Sequence, residues 1–286
     1  MSIMKLPAGI MLLGIVLYAT LILPFSDYMK HKTIEEKLGY IPSLQVVRLL
    51  SLNQKELAGA GLLMKVVMYF GGVVGKQAEN VVVEPLNYPE MERVIQIALQ
   101  LDPYNVDGYY FAQSVLVWDM KQYQAANNLL EYGMKYRTWD WYLPFSAGFN
   151  YAYFLKDYKK AAEMYMRAGE VSGDPMYERL AGKYLQQSGQ TGAAIAYLEM
   201  MEKEARDQVV RNVFQIRITA LKEVVKIEQA RDAWLADKKK LPSGVDELIT
   251  NGYLATYPVD PYGGKFYMET DGTVTSTSKF AFKPAK

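Results

Sequence analysis

Residues 145–168 read FSAGFNYAYFLKDYKKAAEMYMRA, two segments of helical spacing joined at Lys156-Asp157. This stretch has counterparts on both sides of it. A residue early in the second helix of each such pair recurs at separations of 35, 35 and 33 residues, at Met91, Ala126, Ala161 and Ala194. Because one helix pair cannot bury its own apolar face, a repeat of this length is typical of pairs that stack side by side. The sequence therefore predicts a mainly α protein built on an α-solenoid of helix-turn-helix repeats.

The same spacing predicts the individual elements. Two apolar helices are expected ahead of the repeats, over 44–52 and 57–74, and residues 76–88 read as a loop because Val81-Val82-Val83 and Pro85 interrupt the helical spacing. The helices predicted for the repeats cover 91–101, 107–119, 123–136, 141–155, 158–170, 175–187 and 192–204. A long charged helix over 205–238 is suited to cover the apolar face of the last repeat.

These elements divide the chain into five predicted regions. They are an N-terminal transmembrane anchor with its flank (1–30), an N-terminal helical hairpin region (31–87), the repeats (88–204), the long capping helix (205–240) and a C-terminal tail with a β-hairpin (241–286).

The residues at fixed positions of each repeat follow one pattern, in which a large residue, a small one and an aromatic precede a helix that carries alanine. The central unit has Phe145, Gly148, Tyr151, Tyr158, Ala161 and Ala168. The preceding unit matches in part, at Tyr110, Ser114, Tyr123, Ala126 and Gly133. The following unit matches at Ala181, Gly182, Leu185, Ala194 and Leu198. Over about residues 86–204 this pattern resembles tetratricopeptide repeats (TPR). The resemblance implies a fold that many unrelated protein-binding scaffolds share.

The tail has a second recognisable order of motifs. Leu241-Pro242-Ser243 leads into Asp246-Glu247-Leu248, and Gly252-Tyr253-Leu254 precedes a Pro258–Tyr267 segment with the pattern PxDPYGG. A short helix is predicted over 244–249, with Ser243 and Asp246 at capping-box spacing, and Asp271-Gly272 predicts a two-residue hairpin loop. The tail resembles the C-terminal part of major pseudopilins of type II secretion systems. Some pseudopilins bind calcium in this loop, but the spacing of Asp260 and Asp271 favours turn-forming roles.

The N-terminal region contains a run of 20 residues without a formal charge, 6–25, which as a helix is about 30 Å long and matches the hydrocarbon thickness of a bilayer. No small-residue cleavage site follows it, so we interpret it as an uncleaved single-pass anchor rather than a signal peptide. Lys5 favours an N-terminus on the cytoplasmic side, whereas Lys30, Lys32 and Lys37 favour the opposite orientation. We expect a bacterial inner-membrane protein whose soluble part is periplasmic.

The apolar segment 57–74 has two interpretations. Gly71 and Gly75 form a G-x-x-x-G pair, which is common where membrane-embedded helices pack. Small residues also permit close packing in water-soluble folds, and we favour a helix of the solenoid.

Composition excludes several kinds of chemistry. With 32 basic and 31 acidic residues the chain lacks the excess of positive charge that nucleic-acid binders use. Cysteine is absent and His31 is the single histidine, so thiol catalysis, thiolate metal sites and imidazole chemistry have almost no groups to use. We therefore expect no enzymatic activity, no metal, no cofactor and no nucleic-acid partner.

The TPR resemblance also implies which residues bind a partner, because the first helix of each TPR pair lines a concave groove. The corresponding positions here are Phe111, Val115, Trp118, Tyr142, Phe145, Phe149, Tyr153, Arg179, Lys183 and Gln186. A groove that is aromatic at one end and cationic or amide-rich at the other suits an extended peptide or helix with apolar anchors and an acidic end. Two alternatives stay open. Some of these residues could contact the capping helix or the tail instead, and the cluster around Trp139, Trp141, Tyr142 and Phe145 could form either a ligand cage or packing between repeats.

Three functions are compatible with this reading. The favoured one is a non-enzymatic, membrane-anchored TPR scaffold for protein–protein interaction in the assembly of an envelope complex, such as a type IV pilus or secretion system. The alternative is an accessory subunit of a membrane transport complex. A helical-repeat enzyme is disfavoured because no nucleophile–base grouping is evident in the sequence.

Overall fold

The computed structural model describes residues 5–31, 38–78 and 85–280, and within them the protein is mainly helical with one short antiparallel sheet. The helices are α1 (Lys5–His31), α2 (Leu44–Ser51), α3 (Lys55–Ala78), α4 (Tyr88–Leu101), α5 (Val106–Ser114), α6 (Tyr123–Gly133), α7 (Tyr142–Asn150), α8 (Tyr158–Ser172), α9 (Pro175–Gln187), α10 (Thr191–Glu204), α11 (Gln208–Lys238) and α12 (Val245–Thr250). The strands are β1 (Phe266–Met268) and β2 (Val274–Ser276). The predicted loop at 76–88 holds only in part, because Lys76–Ala78 end α3 and residues 79–84 lie outside the described part.

The chain divides into two compact units, Met1–Phe111 and Ala112–Lys286. In the first unit, α1 is long and apolar enough over Ile10–Tyr28 to cross a membrane, and that window is not buried against the rest of the protein. A helix with these properties near the N-terminus is a membrane anchor or a signal sequence.

Helix α3 also passes the length and composition test for a membrane span, but it buries one face against α4. The buried positions recur every three or four residues, at Gly59, Leu63, Val66, Tyr69 and Val73. A Cβ on Gly59 would lie 2.8 Å from the carbonyl oxygen of Ala98, so glycine permits the close approach. The Tyr69 hydroxyl accepts a hydrogen bond of 3.0 Å from the backbone N–H of Asn87. In contrast, a Cβ on Gly71 or Gly75 would meet no atom of the described residues within 4 Å.

In the second unit, consecutive helices pack on one another from α6 to α11. Ala126, Ala161 and Ala194 are all buried. Two glycines make equivalent contacts 34 residues apart. A Cβ on Gly148 would lie 3.2 Å from the Tyr165 ring and 3.3 Å from Met164 Cβ, and a Cβ on Gly182 would lie 2.8 Å from Leu198 Cδ1. The first helix of each pair therefore meets the second at a point where it has no side chain.

Two helices continue as π-helical segments that the sequence spacing did not predict. Helix α5 continues over Val115–Asp119 and α7 over Tyr151–Leu155, 36 residues later. A π turn inserts one extra residue and so rotates the following side chains around the helix axis. Each segment is followed by a lysine with positive φ, Lys121 at 55° and Lys156 at 56°.

Helix α11 packs on both of its neighbours in the chain. Phe214, Ile218 and Leu221 form a core with Ala194 and Leu198 of α10. Further along the helix, the buried residues are Ala220, Val224, Ile227, Ala230 and Trp234, and they form a core with Val245, Leu248, Tyr262, Phe266, Val274 and Phe280 of the tail. The helix begins at Gln208 rather than at residue 205 because the Asp207 side chain accepts a hydrogen bond from the Val209 N–H and caps it.

The tail has the predicted short helix and hairpin, with two local differences. Strand pairing runs from Phe266↔Ser276 to Met268↔Val274, and Glu269 N–H donates to Thr273 O. The loop therefore has three residues, with Gly272 at φ 87°, rather than the two predicted. At the start of α12, Ser243 N–H and Oγ both bond to Glu247 Oε2, at 2.6 and 2.8 Å, whereas the sequence predicted a pairing of Ser243 with Asp246.

Asp260 fixes the tail through a buried carboxylate. It accepts hydrogen bonds from Ser276 Oγ (2.5 Å), Ser278 Oγ (2.6 Å) and the N–H groups of Tyr262 (2.9 Å) and Gly264 (3.1 Å). Burial raises the pKa of this group, but these hydrogen bonds outweigh burial, and the pKa lies below its usual value. A Cβ on Gly264 would lie 2.5 Å from Asp260 Oδ2, so a side chain at Gly264 would occupy space that these hydrogen bonds need.

We predict that Gly182→Ala lowers the stability of the second unit by about 1–2 kcal/mol, because the new methyl group overlaps Leu198. The measurement is the midpoint of denaturant unfolding followed by circular dichroism. Gly192→Ala is the matched control, since a Cβ there meets no atom within 4 Å and the substitution should be neutral or slightly stabilising. Equal midpoints for the two variants would contradict the contact.

We predict a dependence on pH for the tail. Because the pKa of Asp260 is lower in the folded state, its contribution is present above the unfolded pKa of about 3.9 and is lost as the pH falls through the folded value. Asp260→Asn should cost about 1–3 kcal/mol near pH 7 and should flatten the acid decline in unfolding temperature. The exposed Asp246→Asn variant is the control, and an unaltered acid decline in Asp260→Asn would refute the assignment.

Candidate protein-interaction surface

A group of aromatic side chains lies where α5 and α7 end and α6 begins, all within the second unit. We call it the aromatic face, and its members are Trp118, Tyr123, Phe149, Tyr153 and Phe154. The Phe154 ring centroid lies 5.5 Å from that of Trp118, 4.2 Å from Tyr123 and 4.9 Å from Tyr153. Phe149 and Tyr153 stack at 5.5 Å with their planes 8° apart. Each ring is therefore held by at least one other.

Two members of the aromatic face remain largely in solvent. The side chains of Trp118 and Tyr153 are each 60% exposed. Lys156 places its Nζ 5.3 Å from the centroid of the Tyr153 ring, so a positive charge lies at the edge of the face. Rigid, exposed aromatic groups of this kind supply large contact area with little loss of side-chain entropy, which is why they dominate the energy of many protein interfaces.

The π-helical segments create this arrangement. Phe149 and Phe154 are five residues apart, a separation that brings two side chains to the same side of a π turn but not of an α-helix. Their rings meet edge to face at 5.8 Å. Trp118 lies in the other π segment, Val115–Asp119, and meets Phe154.

Buried amide side chains connect the helices that carry the face. Asn150 of α7 donates to Asn127 Oδ1 of α6 at 2.8 Å, and Asn150 and Gln113 of α5 exchange two hydrogen bonds of 3.0 Å. A buried polar network of this kind favours one alignment of helices over others. It therefore helps to hold the aromatic residues in fixed positions.

The remaining residues predicted from the TPR pattern do not join this face. Val115 is buried, so its side chain belongs to the core rather than to a groove. Phe111 belongs to the first unit, where its ring meets Phe70 of α3 edge to face at 5.9 Å.

Tyr142 and Phe145 belong to an aromatic junction between helix pairs. Phe145 lies 5.6 Å from Tyr177 of α9 and 6.3 Å from Tyr165 of α8, and Trp141 stacks on Tyr177 at 5.6 Å. These contacts are packing between helices, at Trp141, Phe145 and Tyr177. Trp139 is 61% exposed, and the Arg137 guanidinium lies 5.6 Å from its ring.

The predicted cationic end of the groove lies close to the tail. Gln186 is buried and donates a 2.8 Å hydrogen bond to the Val274 carbonyl of β2, so it is already used within the fold. Burial lowers the pKa of Lys183, and the charges of Arg217 and Lys279 lower it further. Arg217, itself buried, donates to the Phe280 carbonyl at 2.6 Å. Arg179 is half-buried and its Nε lies 3.4 Å from the Pro175 carbonyl oxygen.

Sequence reasoning missed Tyr123 and Phe154. The available signal was the run Tyr151-Ala152-Tyr153-Phe154, which has too many aromatic residues for the narrow buried stripe of one α-helix. An excess of aromatic residues at a helix end could have indicated an exposed patch, but the rotation that joins Phe154 to Phe149 depends on the π turn.

A surface cavity of about 900 Å³ lies within the tail. Its lining includes Tyr257, Val259, Tyr267 and Met268, with Asp246, Asp260 and Lys265 as charged members. The carboxylate of Asp260 is occupied by internal hydrogen bonds. Across 5–31, 38–78 and 85–280, there is no group of three or more His, Cys, Asp or Glu side chains that could hold a metal ion.

In comparisons with known proteins, no family model matches the chain and no curated protein is significantly similar to it.

The surroundings of Lys183 generate a prediction about stability. Because its pKa is lowered by burial and by two nearby cations, the charged form is disfavoured in the fold, and Lys183→Gln should raise the unfolding temperature. The gain should be largest below the lowered pKa and should shrink as the pH rises from there toward the unfolded pKa of about 10.4, above which the amine is neutral in both states. The exposed Lys159→Gln variant should leave the unfolding temperature unchanged. A decrease for Lys183→Gln would mean that Lys183 has a favourable partner instead.

Proposed function

We propose that this protein is a non-enzymatic, membrane-anchored scaffold that holds another protein on a TPR-like array of helices. The observation that carries the proposal is the aromatic face, where Trp118 and Tyr153 expose most of their surface while neighbouring rings hold them in place. Exposed apolar groups on a rigid framework are unfavourable in water and become favourable when a partner covers them.

The TPR-like assignment is supported by contacts that repeat with the sequence. Gly148 meets Met164 and Tyr165, and Gly182, 34 residues later, meets Leu198. Helix pairs that use the same contact at the same interval form the repeating unit of an α-solenoid. In this proposal α11 is the capping helix, because it covers the apolar side of α10.

The chemistry of the face favours a particular class of ligand. Clustered rings provide pockets for aliphatic or aromatic anchors, and Lys156 lies beside them. We therefore infer that the partner is a helix or extended segment with apolar anchors and a neighbouring acidic residue. This differs from the groove predicted from sequence, whose cationic end was placed at Arg179, Lys183 and Gln186.

The cellular context follows from the ends of the chain. An apolar helix such as α1 retains the protein at a membrane, which we propose is a bacterial inner membrane with the soluble part in the periplasm. The resemblance of the tail to pseudopilins favours a role in assembling a type IV pilus or secretion system. The alternative function is that of a subunit of a membrane transport complex, and the experiment below distinguishes between the two functions.

The proposal is tested by photo-crosslinking in native membranes. We expect a benzoylphenylalanine placed at Trp118 or at Tyr153 to capture the same partner, and Phe154→Ala to weaken that partner's binding by about tenfold because the ring that supports both is lost. Mass spectrometry of the product should identify a pilus or secretion component.

Trp139 is the matched control, since it is an equally exposed tryptophan outside the aromatic face. Equal crosslinking from positions 118 and 139 would refute the aromatic face as a binding surface. Capture of transporter subunits would instead support the alternative function.

A further inference from the structure

Helix α3 exposes a continuous apolar surface on the side opposite to α4. At about 100° per residue, its exposed positions fall within an arc of about 160°. They are Leu57, Ala60, Gly61, Met64, Val67, Met68, Gly71, Gly72, Val74 and Gly75. Among residues 57–75, all of them described, no exposed position carries a charged or polar side chain. An apolar surface five turns long is unfavourable in water, so we expect another molecule or a membrane to cover it.

The packing of α4 restricts what that covering can be. Helix α4 lies along α3 from Gly59, which meets Ala98, to Tyr69, whose hydroxyl bonds to Asn87. Helix α4 carries Glu90 and Arg93, an ion pair with 27% and 39% of the two side chains exposed, and Arg93 also donates a hydrogen bond to the Ile41 carbonyl. Placing such groups in the hydrocarbon core costs several kcal/mol. This part of α3 therefore does not cross the bilayer, although its length would allow it.

The charges beside the surface favour an anionic partner. Residues 38–78, described without a gap, contain four basic residues, Arg48, Lys55, Lys65 and Lys76, against the single acid Glu56. Lys65 and Lys76 are eleven residues apart, about three turns, so they lie along the same edge of the exposed arc. An apolar helical face with cations along its edge is typical of helices that lie in the plane of a membrane surface.

We infer that α3 lies in the interface of an anionic bilayer, with its exposed face between the lipid headgroups and the first part of the acyl chains. Helix α2 has a related composition, since Leu49 and Leu50 are exposed beside Arg48. The inference rests on the proposal that α1 anchors the protein, because α1 and α3 belong to the same unit and only residues 32–54 separate them.

The absence of cysteine allows a direct test with the full chain. A fluorophore is attached to single cysteines in the variants Met64→Cys and Met68→Cys, at positions where the native side chains are 58% and 68% exposed. The protein is reconstituted in vesicles of phosphatidylcholine and phosphatidylglycerol. Quenching is then measured with a nitroxide near the lipid headgroup, with a nitroxide at the end of the acyl chain, and with aqueous iodide.

We expect both labels to be quenched several-fold more by the shallow nitroxide than by the deep one, and several-fold less by iodide than a label at the exposed control Asp107→Cys. In vesicles of phosphatidylcholine alone the shallow quenching should fall, because Lys65 and Lys76 lose their anionic partners. Unchanged quenching without phosphatidylglycerol would refute the choice of an anionic surface.

Three other outcomes overturn the inference. Iodide quenching equal to that of Asp107→Cys would place the face in water, stronger quenching by the deep nitroxide would place α3 across the bilayer, and protection from every quencher would mean that protein covers the face. A label at Leu17→Cys in α1 distinguishes failure of the inference about α3 from failure of the proposed anchor. If α1 spans the membrane, the deep nitroxide quenches this label regardless of where α3 lies.

Discussion

Helices α7 and α8, and again α9 and α10, pack closely because the first helix of each pair carries a glycine at the point of contact. At Gly182 even one methyl group would overlap Leu198. Close approach of the backbones increases the dispersion contacts along both helices and leaves little freedom in their crossing. The contact at Gly148 fixes α7 against α8, and α7 with its π-helical continuation carries Phe149, Tyr153 and Phe154 of the aromatic face.

The π-helical segments add what regular packing alone does not provide. An α-helix that continued through residues 151–155 would place Phe154 about 100° away from Tyr153 and away from Phe149. The extra residue in the π turn brings these rings together and leaves Tyr153 in solvent. Such turns are less stable than α-helical ones and are often found at functional positions. Their occurrence at both helix ends that carry the aromatic face is consistent with a binding surface.

Periodicity predicted the helices well because it reports which positions are buried. The bounds of α9 agree with the prediction at both ends, and α3, α8 and α10 agree within a few residues. Details that depend on contacts with elements distant in the sequence could not be predicted. Gln186 was predicted as an exposed amide because the sequence does not show that the Val274 carbonyl of β2 accepts its hydrogen bond. The hairpin loop has one residue more than predicted because of the register in which β1 pairs with β2. For the same reason the pattern placed Val115 in a groove, although the helix rotates it into the core.

A membrane anchor and an interfacial helix in one unit would have different effects, one on retention at the bilayer and the other on the orientation of the unit. A single transmembrane helix already holds a protein at the bilayer, so the apolar face of α3 adds little to retention. A single anchor does not by itself restrict the rotation and tilt of the rest of the unit relative to the membrane. A second contact, 24 residues long and fixed to α4 through Gly59 and Tyr69, removes much of that freedom. The entropy lost when a partner binds is then smaller, because part of the ordering precedes binding.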